Sequence, residues 1–357
     1  MFRPSRANTT IKWEEYCMNK IEYDYRSALA PYMTSYIKEY EALGHDPKMV
    51  RFVLRTFDQY LLSIDYKNGS TISDEIYNGW LERWDNMNQS TKYHCAAYLV
   101  KFIKYLCNHG LSCHIPLLPN PGKGKYVPYI FSHEEIEKIF KACDDWRERT
   151  HKRDSHQLVM PALLRLLYST GIRIGEAVNI QMRDVKLDKH CIVIRNTKNN
   201  RERLAPVNET MGNVLLVYIK NRNRIKRPEL STPSSYLFVK ADGTRCNPST
   251  ILLRFQALCN EVGIKYHYGL HGLRIHDIRH TACVHALIKM VKSGKDPYCC
   301  LPSLSVYMGH YDVQSTEYYL RLAQMSYPDI IQLTEPLSCS FSDIINNAMR
   351  SYEERTI

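Results

Sequence analysis

SVYMGHYDVQSTEYYL, residues Ser305–Leu320, sets Gly309 and His310 ahead of a tyrosine pair, Tyr318 and Tyr319, the second of them nine positions after the histidine. In a chain with 26 tyrosines such a doublet means little alone. Its weight comes from two segments upstream, His276-Asp-Ile-Arg279 and Thr170-Gly-Ile-Arg173-Ile-Gly-Glu176. Together these hold two arginines, two histidines and a tyrosine, side chains able to attack a phosphodiester without a metal.

Composition is consistent with that chemistry. The 357 residues exceed the size at which single cores stop growing, about 250–300 residues, so two domains are expected. A net charge of +11 and a pI near 9.0 point to a polyanionic partner, most simply nucleic acid. No apolar run reaches the length of a membrane span, and MFRPSRANTTIKW lacks the apolar core of a signal peptide. The expectation is a cytoplasmic protein, nucleoid-associated when bound to DNA, with no membrane partner.

Twelve cysteines are scattered from Cys17 to Cys339, with Cys299-Cys300 their one adjacent pair and no CxxC. They read as reduced, small buried side chains. Cys107, His109, Cys113 and His114 have zinc-binding chemistry but no usual ligand spacing and no second half. That stretch reads as the frayed end of a helix, and neither metal nor cofactor is expected.

Along the chain, residues 1–29 show no period and read as a loosely held N-terminal arm. Residues 30–113 carry four helical stripes, beginning at Pro31, at Asp46-Pro47, at Ser73 and at Asn88, each with a stop or cap signal. Residues 114–130, with Pro116, Pro119, Pro121 and Pro128 and a basic GKGKY, form a linker. Order resumes at Ser132, whose pairing with Glu135 matches a capping box. A strongly apolar helix over 158–168 ends at Gly171, and Arg173 opens a short helix through Ile180. The period then changes: VKLDKHCIVIRNTKNNRERLAPV alternates and predicts a three-stranded antiparallel meander. Helices follow over 209–225, 247–262 and 275–291, with a short strand over 236–239. The fold class is mainly α with a small antiparallel sheet: a helical N-terminal domain and an α+β catalytic domain over 131–325. Residues 326–357 form a C-terminal tail.

Phosphodiester transfer spreads negative charge over the non-bridging oxygens, so fixed cationic donors supply most of the catalysis. Arginine suits this, being always charged and forked to match phosphate. Arg173 sits between two apolar helices, a position expected to bury it, with Glu176 one turn on to orient it. His276 and Arg279, three apart, share a helix face, while His280 points elsewhere as a structural residue. His310 offers a second histidine donor. Lys198, in the tip of the hairpin, is a solvated turn residue or a general acid for the leaving oxygen. A tyrosine hydroxyl needs a base and a positive field to attack near neutral pH. Tyr318 and Tyr319 lie about 100° apart on a helix, and spacing does not choose between them.

These segments resemble the tyrosine recombinase (phage integrase) family. STGIRIGEAVNI resembles its first arginine box, with Arg173 and the acid Glu176. RNTKNNRERLAPV resembles its hairpin lysine segment, with Lys198. HDIRHT resembles its HxxR box, with His276 and Arg279, and GHYDVQSTEYY its final box, with His310 and, by register, Tyr319. Each box is weak alone; the ordered set is specific. Met308 replaces the common leucine before Gly309.

The resemblance implies a site-specific recombinase or integrase acting on double-stranded DNA for a mobile element, in integration, excision or transposition. Tyr319 would form a 3′-phosphotyrosyl intermediate. Arg173, Arg279, His276 and His310 would hold the phosphate, with His276 accepting the tyrosine proton. Lys198 would protonate the departing 5′-oxygen, and Tyr318 would be the packed neighbour of Tyr319. It also implies a homo-tetramer on DNA, a monomer or weak oligomer when free, accessory DNA-bending or directionality proteins, and a tail docking in trans. The alternatives are a relaxase resembling type IB topoisomerase and a DNA-binding protein with an idle active site.

Overall fold

The computed structural model describes residues 23–67, 71–122, 127–149, 156–195, 202–265, 272–310 and 314–326. The expected tip of the hairpin with Lys198, the GKGKY segment, most of the N-terminal arm and the C-terminal tail lie outside them. The chain divides into two compact units, residues 1–125 and 126–357.

In the first unit, helices α1 (Ala30–Ala42), α2 (Lys48–Ser63), α3 (Asp74–Glu82) and α4 (Gln89–Asn108) surround one core. Their starts follow local chemistry. The Ser73 hydroxyl accepts from the Ile76 N–H at 3.4 Å, and the Asn88 side chain accepts from the Ser90 N–H at 2.9 Å. At α2 the helix begins after Pro47, and Asp46 accepts from the Lys48 N–H at 3.1 Å, so the proline stands at the cap rather than inside the first turn. Trp80 and Trp84 pack with their rings tilted at 5.5 Å in this core, and the Trp80 indole donates to Thr56 Oγ1 at 3.2 Å.

The arm expected to be loose is anchored where it is described. Asp58, fully buried on α2, accepts from the Tyr23 hydroxyl at 2.9 Å and from the Ser27 N–H at 2.9 Å. Leu29 is buried in the same core. A buried carboxylate demands donors, and the chain before α1 supplies them. The start of the expected linker also follows this unit: the Tyr77 hydroxyl donates to the Leu117 carbonyl, and Gln89 to the Asn120 carbonyl at 2.9 Å.

The second unit is helical with a small sheet. It opens with α5 (His133–Arg149), whose start is a full capping box: Ser132 N–H to Glu135 at 2.8 Å and Glu135 N–H to Ser132 Oγ at 3.1 Å. The apolar helix α6 (Met160–Thr170) is followed by a single-turn helix, α7 (Ile174–Ala177), shorter than its apolar pattern suggested. Strands β1 (Val185–Lys186), β2 (Cys191–Ile194) and β3 (Arg203–Pro206) form an antiparallel sheet in that order, with Ile192 opposite Val185 on one side and Ala205 on the other. Ile192, Ile194 and Ala205 turn into the core. The expected strand over 236–239 is reduced to isolated bridges, Gln181 to Tyr236 and Val239 to Arg245.

Helices α8 (Glu209–Arg222), α9 (Pro248–Glu261), α10 (Ile275–Lys292), α11 (Pro297–Met308) and α12 (Gln314–Ser326) complete the unit. Helix α11 escaped the sequence reading because Pro297 and Pro302 interrupt its pattern. Pro297 occupies the first turn, where its missing N–H costs nothing, and Asp296 accepts from the Cys299 N–H at 2.9 Å. Helix α10 packs against α6, α11 and α12, which makes it the spine of the unit. Among the described residues, no helix is long and apolar enough to cross a membrane.

Candidate active site

Four separate segments meet at the N-terminal half of α10. Arg279 is 2% exposed, and its guanidinium donates to the Gly171 carbonyl at 2.5 Å and to the Met308 carbonyl at 2.8 Å. These carbonyls lie at the C-terminal ends of α6 and α11, where helices leave acceptors unsatisfied. Burial lowers the Arg279 pKa to about 10, aided by the nearby Arg173 charge, so the side chain remains cationic at neutral pH.

Both helix ends turn through a left-handed glycine: Gly171 at φ +62° and Gly309 at φ +66°. A Cβ at Gly171 would lie 2.7 Å from Met308 Sδ, and one at Gly309 would lie 2.7 Å from the Arg203 guanidinium. Glycine is therefore required for conformation and for close approach at both. Met308 is fully buried and packs on Gly171, which gives the unusual methionine a local role.

Arg173 stands at the cap of α7 and is half-buried, with 30% of its side chain exposed, rather than enclosed as its apolar flanks suggested. Its guanidinium donates to Glu176 Oε1 at 2.9 Å and approaches the Gly309 carbonyl at 3.5 Å. Glu176 is buried and also accepts from the Arg173 N–H at 3.0 Å. A second arginine, Arg203 on β3, grips the same carboxylate at 3.2 and 2.7 Å. Burial alone would push the Glu176 carboxyl up, but the bonds from Arg203 and Arg173 outweigh it and hold the pKa down to about 2. Sequence reasoning missed Arg203, because the pairing depends on β3 lying beside α7.

His276, on the first turn of α10, and His280, one turn further on, place their rings 4.8 Å apart. Burial lowers the His276 pKa to about 4, with Arg279 and Arg173 adding to the effect. Burial, together with the His276 and Arg279 neighbours, lowers that of His280 to about 3. Both rings are neutral at pH 7. His310 follows Gly309, and its Nδ1 lies 2.8 Å from Thr316 Oγ1 on α12.

Tyr319, on α12, is 3% exposed, whereas Tyr318 is 38% exposed and sets its ring edge-on to that of Tyr319 at 6.1 Å. The Tyr319 ring lies parallel to that of His310 at 5.7 Å. Its hydroxyl is 3.0 Å from His280 Nδ1. The expectation that His280 points away from the site is therefore corrected: a step of four residues from His276 is about 40° of helix rotation, which keeps both on one face. Burial raises the Tyr319 hydroxyl pKa well above its usual range, against the opposing pull of Arg279, so the phenol is protonated in this state.

The structure thus brings together Arg173, Glu176, His276, Arg279, His310 and Tyr319, and adds Arg203 and His280. Lys198 lies outside the described residues. Among the described residues no three metal-ligating side chains cluster. The Cys107 thiol instead approaches the Cys113 carbonyl at 3.8 Å, and His114 pairs with Asp74 at 2.6 Å.

Residues 130–325 match the phage integrase family. Among curated proteins, the y4rB protein of Sinorhizobium fredii, named as an integrase/recombinase, is 29% identical over 289 residues, 80% of this chain and 90% of its own length. The tyrosine recombinase XerC of Staphylococcus haemolyticus is 25% identical over 308 residues, 86% of this chain and 90% of its own. Among solved structures, the fold is shared with XerH site-specific recombinase in a pre-cleavage complex with its difH substrate. That likeness has a TM-score of 0.59 at 16% identity and covers 84% of each chain. The Tn1549 transposon integrase in complex with circular intermediate DNA gives a TM-score of 0.57 at 19% identity, over 81% of this chain and 94% of that one. With more than half its length matched to the family and the two arginine-bearing boxes and the final box meeting at one place, the chain belongs to the phage integrase family, the tyrosine recombinases.

Proposed function

We propose that this chain is a site-specific recombinase that cuts and rejoins double-stranded DNA through a 3′-phosphotyrosyl intermediate, in the service of a mobile element. The observation that carries the reading is the convergence of two guanidinium groups, His276, His310 and the buried Tyr319 hydroxyl from four distant segments. Arg173 and Arg279 would bind the non-bridging oxygens of the scissile phosphate. Two carbonyl bonds account for two of the five N–H donors of Arg279, and others would serve the phosphate. His276, a neutral ring, and His310 would add donors around the same group, and Glu176 would set the angle of Arg173.

Tyr319 would attack the phosphorus, displacing the 5′-oxygen, which Lys198 would protonate. The phosphotyrosine keeps the bond energy, so religation by an incoming 5′-hydroxyl needs no nucleotide cofactor. The helical first unit, expected to bind DNA, and the second unit would hold the duplex together, with four protomers exchanging strands. Helper proteins and a C-terminal tail docking in trans belong to the same reading.

The test begins with DNA recovered on the Tyr319→Phe protein, from which a duplex nicked beside the cleavage site is built. Wild-type protein is expected to form a covalent adduct on it, Tyr318→Phe to do so within about threefold, and Tyr319→Phe to form none. Absence of any wild-type adduct would sink the reading. Relaxation of supercoils without joining of two marked sites would replace it with a topoisomerase-like activity.

A further inference from the structure

His280 was read from sequence as structural, yet its ring lies against the hydroxyl of the proposed nucleophile. We propose that His280 Nδ1 is the acceptor of the Tyr319 proton when that tyrosine attacks the DNA phosphate. The inference rests on the recombinase reading above and deepens it by assigning the base.

The geometry is direct. The Tyr319 hydroxyl and His280 Nδ1 are 3.0 Å apart, within the reach required of a general base. His276, the other histidine on this face, packs edge-on against the His280 ring at 4.8 Å, and the hydrogen bond to the hydroxyl is made by His280. His310 faces the flat side of the tyrosine ring at 5.7 Å, and its Nδ1 is engaged by Thr316. A neutral His280 carrying its proton on Nε2 presents a lone pair at Nδ1, and the phenol donates to it.

The surroundings explain how such a base stays idle until substrate arrives. The groups facing His280 are His276, Arg279 and Arg274 on α10, His310 beyond α11 and Tyr319 on α12. In the free protein, burial and the neighbouring Arg279 and Arg274 charges oppose an imidazolium, and the phenol keeps its proton. A phosphodiester bound between Arg173 and Arg279 brings a negative charge into the same shell. It offsets the arginines and makes a protonated His280 tolerable.

In the step itself, the Tyr319 O–H bond breaks and its proton passes to His280 Nδ1. The tyrosine oxygen bonds to phosphorus, the bond from phosphorus to the 5′-oxygen breaks, and that oxygen takes a proton from the general acid. Religation runs the sequence backwards, with His280 returning its proton to the tyrosine. No oxidant, reductant or further reactant enters.

The test uses the nicked duplex in two forms, one with the ordinary phosphate and one with a 5′-bridging phosphorothiolate, whose thiolate leaves without protonation. Single-turnover adduct formation is measured at saturating protein, so weakened binding does not enter the rate. His280→Ala and His280→Asn are expected to slow adduct formation by about 100-fold or more on both substrates. Lys198→Ala is expected to be slow on the ordinary phosphate alone. Added imidazole should recover much of the His280→Ala rate, since it supplies the missing acceptor. Asparagine keeps a hydrogen-bonding group but accepts no proton, so a His280→Asn rate near wild type would overturn the assignment. So would a His280→Ala defect that imidazole leaves unchanged, which would mark a packing role. A wild type that forms no adduct on either duplex overturns this inference together with the reading beneath it, whereas a normal wild type with normal His280 variants overturns this inference alone.

Discussion

Arg279 and Gly171 stand 108 positions apart, and the guanidinium of one is bonded at 2.5 Å to the carbonyl of the other. The same side chain reaches the Met308 carbonyl, so a single cation closes the ends of α6 and α11 over the start of α10. The bonds place a charged group inside the protein by satisfying carbonyls that helix ends leave open. Arg279 is thus a structural tie as well as the proposed phosphate ligand.

Lysine cannot replace it. Its point charge on a flexible stem cannot span two carbonyls and a phosphate at once. Arg279→Lys is expected to lower covalent adduct formation by about 100-fold or more. It should also reduce stability by about 1–3 kcal/mol in urea unfolding, because a buried carbonyl loses its donor. An Arg279→Lys protein with wild-type rate and midpoint would contradict both roles.

Glu176 gives a pH-dependent expectation. Its carboxyl titrates near 2 in the folded protein, against an ordinary 4.5, because Arg203 and Arg173 favour the charged form more than burial opposes it. A depressed folded value means the stabilisation is complete above pH 4.5 and is lost as pH falls towards 2. Its size is on the order of 3 kcal/mol. Glu176→Gln should therefore be less stable than wild type in urea at about pH 6, with the gap closing at about pH 2. A gap that does not change with pH would show that the ion pairs are not its source.

Gly309 tests the packing of β3 against the site. A left-handed φ of +66° disfavours any side chain, and a Cβ there would press within 2.7 Å of Arg203. Gly309→Ala is expected to lower stability by about 1–2 kcal/mol and to displace Arg203 from Glu176. Thermal unfolding reads the first effect. The second would appear as weaker acid sensitivity in the same pH series.

In the first unit, Asp58 ties the chain before α1 to α2. Asp58→Ala leaves the buried Ser27 N–H and the Tyr23 hydroxyl without this acceptor. The expected outcome is a loss of about 1–3 kcal/mol and new protease cleavage between residues 23 and 29. An unchanged digestion pattern would mean the anchor lies elsewhere.

Much of this protein is local, and what is local could be read from the chain alone. Ser73, Asn88 and the Ser132–Glu135 pair mark helix starts because a cap needs only its own next three residues. The change from helical to alternating pattern at Val185 revealed the sheet, since a pleated strand shows alternate residues to one face. Gly171 was visible as a stop because a left-handed turn selects glycine. The family boxes named Arg173, His276, Arg279, His310 and Tyr319 in advance.

Tertiary structure decided which of these groups touch. That Tyr319 is buried and Tyr318 exposed follows from the rotation of α12 against α10 and α11, which no spacing specifies. The same rotation brings the hydroxyl to His280. Arg203 joins Glu176 only because the sheet folds back beside α7. Helical period assigns residues to a face, but which face meets which depends on contacts between segments far apart in sequence. Those contacts turn six separate residues into one site.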